Sequence, residues 1–564
     1  MEAILGRLLA LFGGRTKKRA KRMRIFSNVF VMLLSLTLMV VTAGATDLSD
    51  GENTGTGYWT SQKTGFLDLT DRSTSIESSS LALMLDEAAL KRALDNTEVA
   101  GRGNVIVYLP NADGKILAFE VIEKSNFAPG LAAKFPDIKA YRGFALDQSG
   151  LLAYFSFSPE GLDATLLNSS SNMLTTITRL SGPDSIYMVS NTADGTIRQE
   201  SYSCSTNDNM IEGSSLQSKS KTKITPLPQM SRVARFSDER KLSKYRLAVA
   251  ANGQYVDYHG GTIAKAMAAI NITINQVNFI FERDLGIKLE LVNNNDQVVF
   301  EDSDTDPFED STDNMNAELQ ATLDRVIGSE NYDVGHMFSG FGTGGLAGGI
   351  GIFCDNSLKG RGHSAVSRPA GVSYTYLVAH ELGHQLGANH TFSYRNEGEG
   401  ANVEPGSGST LMGYAGTTGE DNVALYDDGY FHVKSISQGL AYLKTQSCDV
   451  SIDIVNNVPT ATAPIDYVIP VGTPFVLTGS ATDADVDNVL TYTWEQVDDG
   501  TVTSSIFGPE NTQGANFRSL PPSESPSRFF PLKESVLAGN LTQRNADTSS
   551  AWETLSLVPR EFNF

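Results

Sequence analysis

One run of eleven residues constrains this chain more than any other: His380-Glu381-Leu-Gly-His384-Gln-Leu-Gly387-Ala-Asn-His390. Residues 374–386 carry the spacing of a helix, and on a helix His380 and His384 project from one face. Their ring nitrogens then converge on a single ion. Glu381 lies one position further round, beside that ion without joining its ligands. Gly387 lets the backbone turn sharply with positive φ, which a Cβ would oppose, and the chain returns His390 as a third ligand. Three neutral imidazoles leave a fourth position open, as a hydrolytic zinc site requires. Water made acidic by such an ion would give its proton to Glu381, which would pass it to a leaving amine. The chain has seven histidines, and three of them in one short run is not a chance grouping on a core helix.

A second motif follows at Ser409-Thr-Leu-Met412-Gly-Tyr414-Ala-Gly416. A histidine run of this form with a downstream methionine turn is the metzincin pattern. Together with Glu404-Pro-Gly-Ser-Gly-Ser-Thr-Leu-Met-Gly-Tyr-Ala-Gly416, Cys354-Asp-Asn-Ser-Leu-Lys359 and Tyr332-Asp-Val-Gly-His336, it resembles the reprolysin-like (adamalysin) branch of the metzincins, especially its bacterial secreted members. The specific motifs lie in 332–433. The resemblance implies a zinc metalloendopeptidase acting on proteins or peptides. It implies one catalytic Zn2+ held by His380, His384 and His390, Glu381 as the catalytic carboxylate, and Met412 as an apolar floor beneath the metal. Reprolysin-like domains commonly tie together a cysteine pair placed like Cys354 and Cys448, so that disulfide is implied too.

Two residues stand outside the pattern of the branch. Astacin- and serralysin-like metzincins place a tyrosine near the zinc two residues after the methionine, and reprolysins generally do not. Tyr414 is therefore either a switchable ligand or oxyanion donor, or a packed aromatic. Cys204 is left without a partner. A thiolate suits zinc and would fill its open position, holding a zymogen latent. Its surroundings, Ser201-Tyr-Ser-Cys204-Ser-Thr, do not match the matrixin switch motif, and the other reading is a free buried thiol.

The chain is too long for one core, and its texture divides it. A basic block over 15–24, an apolar run over 25–41 and Ala43-Gly44-Ala45 form the layout of a secretory signal peptide over 1–45. The alternative is an uncleaved anchor, because the apolar run approaches bilayer-spanning length. Secretion is expected, with no membrane span after cleavage. Residues 46–241 read as an α+β propeptide, inhibitory and chaperoning. It has a helix over 81–94, strands over 105–109 and 117–121 around a turn at 111–114, and a Ser/Lys/Thr/Pro-rich linker over 205–243. Residues 242–450 read as the α/β metallopeptidase domain, a mixed sheet with long helices. Strands at 245–250, 288–292 and 332–338 alternate with helices at 263–281 and 315–327. The Gly-rich stretch 340–351 lacks the Lys-Ser/Thr of a phosphate loop. It reads as a flexible loop and sheet edge, beside which an extended peptide can add as a strand. Residues 451–564 read as a C-terminal β-sandwich, Ig/PKD-like, possibly truncated, that binds substrate or a surface or acts as a spacer.

Charge narrows the partners. The net charge is -21 although the leader is basic, so the body repels phosphate backbones and nucleic-acid binding is not expected. The acidic run 301–310 has Pro307 where an EF-hand needs Gly, so Ca2+ is unsupported by a specific motif and a solvated loop is expected. His336 and His432 read as structural. His259 and His363 read as solvated loop residues, His363 alternatively lining a cleft. A monomer is expected. The rival function is a catalytically silent zinc-binding or adhesion protein of the same fold, against which the retained Glu381 argues.

Overall fold

The computed structural model describes residues 58–61, 81–95, most of 105–191, 203–206, 233–234 and 240–564 apart from 310, 313, 486 and 487, with 46–47 described as backbone only. The expected signal peptide and most of the expected linker lie outside the described residues.

The N-terminal region is built on a ten-stranded sheet. Its strands are β1 (Thr46–Asp47), β2 (Trp59–Ser61), β3 (Leu81–Leu85), β4 (Val105–Pro110), β5 (Lys115–Glu123), β6 (Lys139–Ala145), β7 (Leu151–Ser158), β8 (Gly161–Asn168), β9 (Leu174–Arg179) and β10 (Ile186–Asn191). Strands β4 to β10 pair antiparallel in succession, and β10 continues onto β3 and then β2. A short helix, α1 (Glu87–Leu94), accompanies the sheet, whereas α2 (Pro129–Lys134) sets its Leu131 into the core of the second region. The helix expected over 81–94 is split. Leu81–Leu85 is strand, burying Leu83 and Leu85, and the Asp86 side chain accepts from the Ala89 N–H to start α1. Leucines at 81, 83 and 85 satisfy a period of two as well as a helical one, and the cap decides where the helix begins.

The second region holds a seven-stranded mixed sheet. It includes β11 (Ser203–Cys204), while β12 (Val233–Ala234) pairs elsewhere. The other members are β13 (Lys241–Ala251), β14 (Ile287–Leu291), β15 (Val334–Ser339), β16 (Thr343–Leu346), β17 (His363–Val366) and β18 (Val450–Asp453). The order is β11-β16-β17-β15-β13-β14, with β18 also on β13. Strands β13, β14, β15 and β17 are parallel, and β16 runs antiparallel to β17. Among the described residues five α-helices belong here: α3 (Gly253–Tyr258), α4 (Ile263–Leu285), α5 (Met315–Val326), α6 (Gly371–Gln385) and α7 (Val433–Leu443).

Both faces of the sheet are covered, as a parallel sheet requires. Leu247 and Val249 of β13 pack with Ile270, Ile274 and Val277 of α4 and Val378 and Leu382 of α6. Ala248 and Ala250 face the other way, onto Leu319 and Leu323 of α5. The acidic loop serves helix N-termini, where carboxylates are favoured. Glu301 accepts from the Ile263 N–H at 2.8 Å and Asp306 from the Gly253 N–H at 2.9 Å.

The N-terminal sheet docks on α4 through amides. Asn271 donates to Ser156 Oγ and the Lys139 carbonyl, Asn275 to the Phe155 carbonyl, and Asn278 to Asn126 Oδ1. Arg142 and Glu282 add an ion pair at 2.8 Å. At the other end of the chain the strands are short. Thr460–Thr462 pairs with Ser480–Thr482, Phe475–Thr478 with Ser527–Phe530, and Glu495–Gln496 with Phe562–Asn563. Among the described residues these two- and three-stranded ladders are what the structure holds where a β-sandwich was expected. Part of this region packs back: Val502, Phe507 and Trp552 form a cluster with Val423. Cys354 and Cys448 are joined, as expected. Among the described residues no helix is long and apolar enough to cross a membrane.

Candidate metal centre

Helix α6 ends where its sequence dictates. Its last two turns, from Leu377 to Gln385, are buried on every side. A Cβ on Gly383 would lie 2.8 Å from Met412 Sδ and 2.9 Å from the Phe431 ring, so the missing side chain is what lets the methionine turn pack against the helix. Gly387 has φ +109°, and the N–H groups of Gly387 and Ala388 close back onto His384 and Gly383. The chain then turns to bring in His390. Met412 is fully buried beneath these residues.

The three imidazoles are oriented by their second nitrogens. His380 Nδ1 is bonded to the Leu411 carbonyl, His384 Nδ1 to the Ala388 carbonyl at 2.8 Å, and His390 Nδ1 to Glu397 Oε2 at 2.8 Å. Acceptors at all three require Nδ1 to carry the hydrogen, which leaves each Nε2 as a bare lone pair. These lone pairs converge: His384 Nε2 lies 3.0 Å from His390 Nε2, and His380 Nε2 has no hydrogen-bond partner among the described residues. Burial keeps the rings neutral, pushing His380 down to about 4 and His384 and His390 well below the ordinary histidine range. Cys204 Sγ completes the group, with all four donor atoms within 4.8 Å of one another. Facing lone pairs repel unless a cation lies between them. Neutral imidazole and sulfur are donors that suit zinc.

Glu381 is fully buried beside this group. A Cβ on Gly345 would lie 2.3 Å from Glu381 Oε1, so the glycine on β16 makes room for the carboxylate. Oε2 accepts from Thr206 Oγ1 at 3.1 Å, and Oε1 has no partner among the described residues. Burial pushes the carboxyl up to about 8, opposed by the Thr206 hydrogen bond.

The Gly-rich stretch supplies the sheet edge expected of it, and the strand added there is the chain's own. β11 runs parallel to β16, pairing Ser203 with Gly344 and Cys204 with Gly345, and Ser205 N–H donates to the Gly345 carbonyl at 2.9 Å. A Cβ on Gly344 would strike the Ser203 carbonyl. Thr206 is anchored in turn by the Ala347 N–H at 2.8 Å. Tyr414 packs edge-on against His390 and also donates through its hydroxyl to the Cys204 carbonyl at 2.9 Å. It is thus a packed ring with its polar end turned to the segment that covers the site.

Several participants carried no sequence signal. Thr206 lies in a stretch read as linker. Glu397 is one acid among several in a polar loop. Glu404 stands within the methionine-turn motif, yet only the fold reveals what it does there. It accepts from the Thr391 and Thr410 hydroxyls and from the Ser409 N–H, tying the segment that follows His390 to the methionine turn. Of the remaining histidines, His336 is buried between Gln385 and Ser364, and His432 caps α7 through the Lys434 N–H. His259 and His363 are not solvated as expected. His259 bonds the Pro369 carbonyl at 3.1 Å and His363 bonds Asn316 Oδ1 at 2.8 Å, and burial pushes both down, to about 4 and about 3.

The fold and the site define a mixed α/β domain with a cluster of three histidines and a cysteine that could hold a metal ion, two of the histidines on one helix of the domain. Residues 242–443 match the model of the reprolysin-like metallopeptidases of family M12B. The family is one of zinc metallopeptidases, whose substrates are proteins. No curated protein matches the chain.

Proposed function

We propose that the chain is an exported zinc-dependent endopeptidase made as a latent precursor, with His380, His384 and His390 as metal ligands and Glu381 as the proton carrier. One observation carries this reading: three imidazole lone pairs, each fixed by an acceptor on its other nitrogen, converge beside a buried carboxylate with an unpartnered oxygen. When bound, zinc supplies a Lewis acid that acidifies water and polarises a carbonyl. Glu381 accepts the proton of the attacking water and delivers it to the departing amine. Met412 keeps the underside of the site dry. The edge of β16 offers an extended peptide its main-chain groups, in the manner of strand addition.

Latency follows from what covers that edge. Cys204 takes the position a fourth ligand would need, Thr206 holds Glu381, and Tyr414 grips the Cys204 carbonyl. Residues 46–241 are then the propeptide, 242–450 the peptidase domain and 451–564 an appended region. Once the Cys204 segment leaves, the Tyr414 hydroxyl is free to donate to a substrate oxyanion. The Cys354–Cys448 disulfide fits an extracellular protein.

Mass-spectrometric mapping of cleavage in a peptide library, with and without a chelator, tests the reading. Internal peptide bonds should be cut only without chelator, and the protein's own new N-terminus should fall between 207 and 242. Cleavage indifferent to chelator, or confined to chain ends, would count against it.

A further inference from the structure

The third histidine differs from the other two in what holds it. His380 and His384 lean on backbone carbonyls, whereas His390 leans on a carboxylate, Glu397. Glu397 is itself fixed. Its Oε1 accepts from Arg395 Nη2 at 2.8 Å and Nε at 3.1 Å, and its N–H donates to Asn402 Oδ1 at 3.2 Å. Asn402 also donates through its side chain to the Phe392 carbonyl, so it clamps the loop 392–402 from inside.

The clamp is closed from outside the matched domain. Asn402 N–H donates to Asp499 Oδ1 at 2.9 Å, and Gly500 N–H donates to the Asn402 carbonyl at 3.1 Å. Val502 N–H donates to the Ser393 carbonyl at 2.7 Å, and Gly406 N–H to the Val502 carbonyl at 2.9 Å. Residues 499–502 thus lie as a strap across the loop 392–402, which follows His390 and carries Glu397, fastened at both of its sides.

We propose that Glu397 is a positioning residue for the metal centre, and that residues 499–502 of the C-terminal region hold it in place. The inference rests on the zinc reading above. Glu397 fixes the tautomer and ring orientation of His390 and raises the basicity of the lone pair it offers, the role of an outer-shell carboxylate at a histidine-held metal. The C-terminal region is then part of the metal site's support, neither a spacer nor a module merely tethered to it.

The test is zinc affinity of the full-length chain by chelator competition, for the parent and for Glu397→Gln, Glu397→Ala and Asp499→Ala, beside thermal melting of each metal-free protein. Loss of an outer-shell partner weakens metal binding about 10- to 100-fold. Glu397→Ala should reach that range, and Glu397→Gln, which keeps the shape and an acceptor oxygen, should fall between it and the parent. Asp499→Ala, which touches no ligand, should weaken zinc in the same direction. Metal-free melting temperatures of both Glu397 variants should match the parent. Parent-like zinc affinity in the Glu397 variants, or metal-free melting lowered along with affinity, would overturn the positioning role. Parent-like affinity in Asp499→Ala would overturn the strap. A parent chain that binds no zinc would overturn the zinc reading itself, a separate result.

Discussion

Cys204 Sγ lies 3.6 Å from His384 Nε2, on a strand two residues long that is paired to the edge of the sheet. Two residues on, Thr206 Oγ1 bonds Glu381. The same short segment therefore engages both halves of the proposed chemistry, the ligand set and the proton carrier. Replacing Cys204 by Ala in the full-length chain should raise peptide cleavage at least about tenfold, since a single strong ligand contact outweighs one neutral hydrogen bond of roughly 1 kcal/mol. Thr206→Val should raise it less, and the double variant most. A Cys204→Ala chain as silent as the parent would remove the thiol from the account of latency.

Glu381→Gln keeps the shape of the side chain and removes its ability to take a proton. In processed enzyme it should lower kcat by about 10²- to 10⁴-fold, the usual contribution of a general base, while zinc content stays unchanged. Metal analysis beside steady-state kinetics reads both. Retained activity would refute the role, and lost zinc would assign Glu381 to the ligands instead.

The Cys354–Cys448 bond closes a loop of 94 residues, which includes the histidine run and the methionine turn. Replacing both cysteines by Ala should cost about 2–5 kcal/mol of stability, measured by denaturant unfolding at fixed zinc. An unchanged midpoint would mean that packing alone holds the two segments.

The candidate metal site was the most legible part of the sequence because its geometry is local. His380, Glu381 and His384 share one helix, and Gly387 marks the turn that returns His390. The main sheet was legible for a related reason: apolar runs such as 245–250 and amphipathic helices such as 263–281 announce themselves by period. What escaped depends on partners distant in sequence. Glu397 acquires meaning only against His390 and a strap from residues 499–502. Thr206 acquires it only when a stretch with no periodicity folds onto the β16 edge. His363 misled because it opens strand β17, paired on both sides, and His259 because it closes helix α3, half-buried with its ring against Tyr255. The leucines of 81–85 fit two periods at once, and only Asp86 separates them.

His336 gives the fold an acid limit. It is fully buried between Gln385 and Ser364, and burial pushes it down to about 4. The unfolded chain takes up a proton at this residue near pH 6.5 and the folded chain does not. Its contribution is therefore fully present above about pH 6.5 and is lost as pH falls toward 4. The slope in that window is up to about 1.4 kcal/mol per pH unit. His336→Gln should flatten the fall of unfolding free energy between pH 6.5 and 5, whatever it does to absolute stability. An unchanged slope would place the acid sensitivity elsewhere.

The most direct measurement of the central claim is a zinc titration of processed, metal-free enzyme, following cleavage of a peptide found in the library experiment. Activity should be absent without metal, rise linearly with added zinc and level off at one equivalent per chain, with His390→Ala failing to reach the plateau at that ratio. Full cleavage by the metal-free enzyme, or a rise that shows no break at one equivalent, would contradict it.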